Sequence, residues 1–230
     1  NAKIFLQEVL INNPSASYAH AMKIRWNFED NRETKEAKIS IENARINTDI
    51  GSIMDIVLQV YIFENDYKTP LKLLTGLDRN ILSHQSSLNA KDYYIGLIYD
   101  LMGNNKLATS YYKSALSILE KRLNENIGDA MLHAAISRVY VQLKLFEEAV
   151  RSAQLAVALV PPSRDAWYGV VNKTNLAFIY ASSDLIDDAL HTLSEVYDKP
   201  FGPTKAQLLL YREWGKLRMN SRFKTIINNP

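Results

Sequence analysis

One spacing recurs along this chain and constrains it more than any other feature. A bulky residue is followed nine positions later by a small one, and seven positions after that by another small or aliphatic one. The bulky positions are Phe28, Tyr61, Tyr99, Tyr140 and Tyr180. Nine residues on stand Ala37, Pro70, Ala108, Ala149 and Ala189, and the series closes at Ala44, Leu77, Ala115, Ala156 and Val196. Successive copies lie 33, 38, 41 and 40 residues apart. Seven residues are two turns along one face of a helix. Nine residues from ring to small residue cross a tight turn between two antiparallel helices. A small side chain there lets the neighbouring helix approach closely, and the aromatic fills the space beside it.

The segments between these landmarks have helical periodicity. In AMLHAAISRVYVQL, residues 130–143, the apolar positions Met131, Ala134, Ala135, Ile136, Val139, Tyr140 and Leu143 fit a period of 3.6 better than a period of 2. Glycine and proline are sparse and sit at boundaries: Pro14, Gly51, Pro70, Gly103, Gly128, Pro161, Pro162, Pro200, Gly202 and Pro203. No segment alternates as a strand does, and no Asn-Gly or Asp-Gly hairpin turn occurs. The reading is an all-α chain of about 12–13 helices. Apolar residues at 47% and charged residues at 23% suffice for an ordered core.

The clearest copies are YYIGLIYDLMGNNKLATSYYKSALSIL, AAISRVYVQLKLFEEAVRSAQLAVALVPP and TNLAFIYASSDLIDDALHTLSEVY. Gly96, Tyr99, Ala108, Tyr112 and Ala115 in the first, and Tyr140, Ala149, Ala156 and Pro161 in the second, match the small and large positions of the tetratricopeptide repeat, which this chain resembles. Two earlier copies are degenerate: Arg25 replaces a small residue, and Pro70 replaces Ala, which places the start of that helix near Thr69. The resemblance implies a right-handed α-solenoid of antiparallel helix pairs, a single domain over residues 1–230. Residues 1–16 form the second half of a truncated repeat. Repeats follow at 17–50, 51–86, 87–128, 129–168 and 169–200, with a capping segment at 201–230. EKRLNENIG is expected to prolong one helix before Gly128, and PSRDAWYG to lengthen a later one.

The tail YREWGKLRMNSRFKTII, residues 211–227, resembles the closing segment of tetratricopeptide regions in certain bacterial signalling proteins with a kinase, cyclase or winged-helix domain upstream. Trp214, Leu217, Arg218, Arg222, Phe223, Ile226 and Ile227 carry that likeness, while Asn220 and Ser221 depart from the usual Asp-Pro. The chain begins with Asn rather than Met, which leads to the expectation of a longer parent chain. Together these imply a non-catalytic protein- or peptide-binding scaffold or sensor domain of a larger bacterial protein, cytoplasmic or extracytoplasmic, with no cofactor.

Catalytic and metal chemistry find little support in the residues. The absence of Cys excludes disulfides, thiolate metal sites and a Cys nucleophile. His20, His84, His133 and His191 lack metal-site spacing and read as partly exposed helix or loop residues. No nucleophile elbow, P-loop or dinucleotide fingerprint occurs. The acid pairs Glu147–Glu148 and Asp187–Asp188 suit helix N-termini. A net charge of +2 does not suggest nucleic acid, and the basic tail reads as a polar-faced cap over aromatic side chains. No apolar run reaches the length of a membrane span.

In tetratricopeptide arrays the first helices line a concave surface. The resemblance places Met22, Trp26, Gln59, Phe63, Tyr93, Leu97, Arg138, Gln142, Thr174 and Phe178 there, a set suited to an extended peptide or a partner helix. A clamp for an acidic C-terminus is not expected. Its Lys and Asn positions hold Met22 with Trp26, Asp55 with Gln59, Tyr93 with Leu97 and Ala134 with Arg138. Two alternatives are a helical enzyme with an unrecognised site and a self-association module. The second would use the leading half repeat, whose Ile4, Phe5, Val9 and Leu10 form an apolar face.

Overall fold

The computed structural model describes residues 2–84 and 87–228. The chain is predominantly α-helical, with thirteen α-helices among the described residues, and it divides into two compact units, Asn1–His84 and Gln85–Pro230.

In the first unit α1 (Ala2–Asn12) packs on α2 (Ser17–Arg25), which pairs with α3 (Thr34–Asn47). A π-helical turn, Trp26–Asp30, prolongs α2. A 3-10 turn, Ile50–Ile53, leads into α4 (Met54–Phe63), which pairs with α5 (Lys68–Thr75) and lies against α2 and α3. The second unit holds three further pairs: α6 (Lys91–Leu101) with α7 (Asn105–Glu125), α8 (Ala130–Gln142) with α9 (Phe146–Leu159), and α10 (Tyr168–Ser182) with α11 (Ile186–Val196). Each pair packs on the next through α7 with α8 and α9 with α10, and the first helices α8 and α10 also touch. The unit ends in α12 (Lys205–Leu210), a 3-10 turn at Arg212–Trp214, and α13 (Ser221–Asn228).

Backbone hydrogen bonds explain the nine-residue spacing. After each aromatic the helix ends in a left-handed residue: Asn65 (φ 57°), Gly103 (77°), Lys144 (62°) and Asp184 (61°). The next N–H reaches back five residues to the aromatic's own carbonyl. These bonds are Asp66 to Tyr61 at 3.0 Å, Asn104 to Tyr99 at 2.8 Å, Leu145 to Tyr140 at 2.9 Å and Leu185 to Tyr180 at 3.0 Å. This is the closure of a Schellman turn. The carbonyl of that next residue then accepts the first bond of the second helix, at 3.0 Å from the N–H of Ala108, Ala149 or Ala189. Five plus four gives nine. Pro70 has no N–H to give, so its helix starts through Asp66, whose carboxylate accepts from the Thr69 N–H at 3.1 Å and its hydroxyl at 2.7 Å. In the earliest pair the π turn adds a residue, and Glu33 bonds Asn27 instead of Phe28.

Only one of these left-handed positions carries glycine, so a β-carbon strains the others. Lys144→Gly should therefore stabilise the second unit by about 0.5–1 kcal/mol, seen as a higher urea midpoint at unchanged slope. A lower midpoint would mean that the Lys144 side chain contributes more than its backbone costs.

The small residues of the pattern lie where helices touch. Ala37, Ala44, Ala115, Ala149, Ala156 and Ala189 are fully buried. Ala149 sits with Ala153 of α9 against Leu176 and Ile179 of α10. Gly96 extends the rule: a β-carbon there would lie 2.7 Å from the Tyr112 ring. Ala149→Leu should cost about 1–3 kcal/mol by overpacking, measured by urea denaturation. Unchanged stability would contradict this packing. The aromatics bridge outward from first helices: Tyr99 stacks on Tyr111, the Tyr140 hydroxyl lies 3.3 Å from Glu120, and Gln154 donates to the Tyr180 hydroxyl at 2.9 Å.

The structure departs from the sequence reading in three places. Two four-residue strands, β1 (Ile81–His84) and β2 (Ser87–Ala90), interrupt the helices. β1 packs against the Ile50–Ile53 turn, and β2 packs against α8. Their Ser, His and Asn residues give no alternating apolar signal. Of PSRDAWYG only Tyr168 and Gly169 join α10, and the six residues before them form a turn. The Asp165 carboxylate accepts from the N–H groups of Trp167 and Tyr168, both at 2.8 Å, and starts the helix at Tyr168. His20 and His133 are buried, not partly exposed. Each is the fourth residue of its helix, and its Nε2 bonds a carbonyl three residues before that helix: Pro14 at 2.8 Å and Ile127 at 2.9 Å. That bond offsets the burial of the ring. EKRLNENIG does prolong its helix, carrying α7 to Glu125.

The tail buries Trp214, Leu217, Phe223 and Ile227. Its 3-10 turn lies on α10, where Trp214 meets the Phe178 ring edge-on at 6.3 Å, and α13 lies on α11. Four of its six cations engage the protein's own groups. Lys216 pairs with Asp184 at 2.7 Å, Arg222 with Asp187, and Lys205 with the Asn228 side chain. Arg218 donates to the carbonyls of Leu208 and Tyr211, and burial pulls its guanidinium below the ordinary arginine range.

Candidate functional site

The candidate groove residues divide between the two units. In the first, Met22 and Gln59 are half-buried on α2 and α4, and Trp26 is half-buried at the start of the π turn. Phe63 is 49% exposed at the end of α4 and meets Phe28 edge-on at 5.4 Å. These side chains occupy the first helices of two successive pairs.

In the second unit the candidates differ in character. Tyr93 is buried against the rings of Tyr94 and Tyr112, and burial raises the Tyr112 phenol far above its ordinary value. Leu97 and Gln142 are half-buried. The Thr174 hydroxyl donates to the Val170 carbonyl at 2.9 Å, a bond within its own helix. Phe178 is half-buried beneath Trp214. Arg138 is half-buried and carries the most organised polar environment of the ten.

Arg138 lies on α8 and faces α10. Its Nε donates to the Asn175 Oδ1 at 2.6 Å. The Asn175 Nδ2 donates to the Ser137 Oγ at 3.0 Å, and the Ser137 hydroxyl donates to the Ala134 carbonyl at 2.7 Å. Asn175 and Ser137 are buried. The direction of this chain is fixed by chemistry. Arginine can only donate, so Asn175 must present oxygen to it and its amino group to Ser137. Asn172, one turn earlier on α10, is also buried and donates to the Ala156 carbonyl of α9 at 3.3 Å. Buried amides are costly unless bonded, and these are bonded across three helices.

A shallow cleft opens beside this network, about 270 Å³ with the solvent at its mouth included. Ser87 and Leu88 of β2, Met131, Ala134 and Arg138 of α8, and Asn172 and Asn175 of α10 contribute to its walls. No acidic residue lines it. The two terminal nitrogens of Arg138 have no protein partner among the described residues. The arrangement offers a fixed positive fork with small and apolar surfaces around it, which suits recognition of a short polar or acidic segment.

Sequence reasoning reached Arg138 but missed Ser137, Asn172 and Asn175. The visible signal was VNKTN, in which two asparagines stand three residues apart on one face of a helix. Among the described residues no group of three His, Asp or Glu side chains could hold a metal ion, and no helix is long and apolar enough to cross a membrane. No protein-family model matches the chain, and no curated protein matches it.

Proposed function

We propose that this chain is a non-catalytic, tetratricopeptide-type repeat module that binds a protein or peptide segment on the surface of its first helices. The observation that carries the reading is the α8–α10 face. Two first helices meet there beside a cleft, and a pre-oriented arginine stands at its edge. The repeated helix pairs with small residues at their contacts support the right-handed tetratricopeptide assignment. The likeness of residues 211–227 to the ends of bacterial sensor regions supports a place in a larger signalling or regulatory protein of bacterial origin. Ligand occupancy would there be passed to an upstream domain.

Panning a random 12-residue peptide library against the purified chain tests this reading. Enriched peptides should bind with micromolar affinity by calorimetry, and Trp26→Ala or Gln142→Ala should weaken at least one of them without lowering the melting temperature. A library that yields no saturable binder would overturn it.

A second reading, self-association, draws on α1. Ile4, Phe5 and Ile11 on that helix are 55%, 64% and 77% exposed, a large apolar surface for one helix. Sedimentation equilibrium should then show mass rising with concentration, and Phe5→Glu should abolish the rise. A constant monomer mass would dismiss it.

A further inference from the structure

The Arg138 guanidinium is half-buried, and only one of its three nitrogens has a protein partner among the described residues. Nothing in the cleft neutralises it: the side chains around it are Ser, Leu, Met, Ala, Val and Asn. Behind it, two buried polar side chains act in series to hold the Nε–H. Asn175 commits its oxygen to Arg138 and its amino group to Ser137, and Ser137 anchors to the backbone. Holding Nε fixes the guanidinium plane. The Nη pair then forms an edge that matches the two oxygens of one carboxylate. A support of this kind lowers the ordering cost of binding, because the fork is set before the ligand arrives.

We infer that this cleft receives the side-chain carboxylate of an aspartate or glutamate in the bound segment, paired edge-on with the two Nη groups of Arg138. The inference rests on the peptide-binding reading above and names the chemistry that the α8–α10 face selects. A chain-terminal carboxylate would present the same two oxygens and the same single charge to Arg138, so peptides with blocked ends distinguish the two sources; the cleft lining holds no second cation. The neighbouring first-helix positions Tyr93, Leu97 and Ala134 supply no further charged donor. Asn172 and Asn175 already give their Nδ2 groups to Ala156 and Ser137.

The test uses the full chain and the peptides enriched from the random library, resynthesised with both ends blocked. Each Asp and Glu is replaced in turn by Asn or Gln, and affinities are measured by calorimetry. One acidic position should matter, its replacement weakening binding about 10- to 100-fold. Arg138→Gln should remove that discrimination, so that acidic and amide peptides bind alike, with the melting temperature of the protein unchanged. Arg138→Lys keeps the charge but loses the fork and should retain only part of the preference. Peptides that bind without any acidic preference, or a preference that persists in Arg138→Gln, would overturn the inference and leave peptide binding standing. Binding confined to peptides with a free C-terminus would overturn the side-chain assignment. A library with no binders would remove both the inference and the reading beneath it.

Discussion

Trp214→Ala is expected to destabilise the second unit by about 3–5 kcal/mol, the usual cost of emptying a buried tryptophan site. Trp214 is only 3% exposed and meets Phe178 edge-on. Its neighbours in the tail are anchored too, through Lys216 to Asp184 and through the Tyr197 hydroxyl to the Ile227 carbonyl at 3.0 Å. The exposed ion pairs contribute little by themselves. Burial of the indole holds the tail far more strongly than they do, so Lys216→Ala should change stability by less than about 1 kcal/mol. Urea denaturation followed by far-ultraviolet circular dichroism measures both variants. Equal small losses would mean that the tail is not seated on α10.

Gly169→Ala should be nearly as damaging, about 3 kcal/mol, near the top of the range for overpacking. Gly169 lies in the first turn of α10, where the chain has just come round from Pro161 and Pro162. A β-carbon there would fall 2.5 Å from the Pro161 carbonyl carbon and 2.6 Å from the Pro162 α-carbon. These are backbone atoms on a proline pair, so neither can turn aside as a flexible side chain would. Gly128 is the matched control, because nothing lies within 4 Å of a β-carbon built there. Gly128→Ala should leave the urea midpoint in place or raise it slightly. If Gly169→Ala behaved like Gly128→Ala, the approach of the Pro161–Pro162 turn to α10 would be wrong.

Much of this architecture was legible because it is local. The helix pairs follow from periodicity and from a turn whose two hydrogen bonds count off nine residues. The turn was legible through spacing more than through residue type: of the left-handed positions before Pro70, Ala108, Ala149 and Ala189, only Gly103 is glycine, Asn65 and Asp184 are types that tolerate the conformation, and Lys144 is not. What stayed hidden depends on contacts distant in sequence. Arg138 and Asn175 are 37 positions apart, and nothing in either segment announces that they meet. The burial of His20 and His133 depends on loop carbonyls, which no side-chain pattern reports. The π turn at Trp26–Asp30 inserts a residue without any local signature.

The five-plus-four hydrogen-bond count also determines where a chain of this design can change length. Deleting one residue between Tyr140 and Ala149 would rotate α9 by about 100° and turn Ala149 and Ala156 away from their neighbours. The stretches that join one pair to the next carry no such count. Within the second unit they already differ, four residues between α7 and α8 against eight between α9 and α10. Insertions should therefore be accepted just before Asn126, ahead of the Ile127 carbonyl that holds His133 and the Asp129 cap of α8, and rejected at the turns within pairs and between Pro161 and Gly169, where backbone atoms already press together.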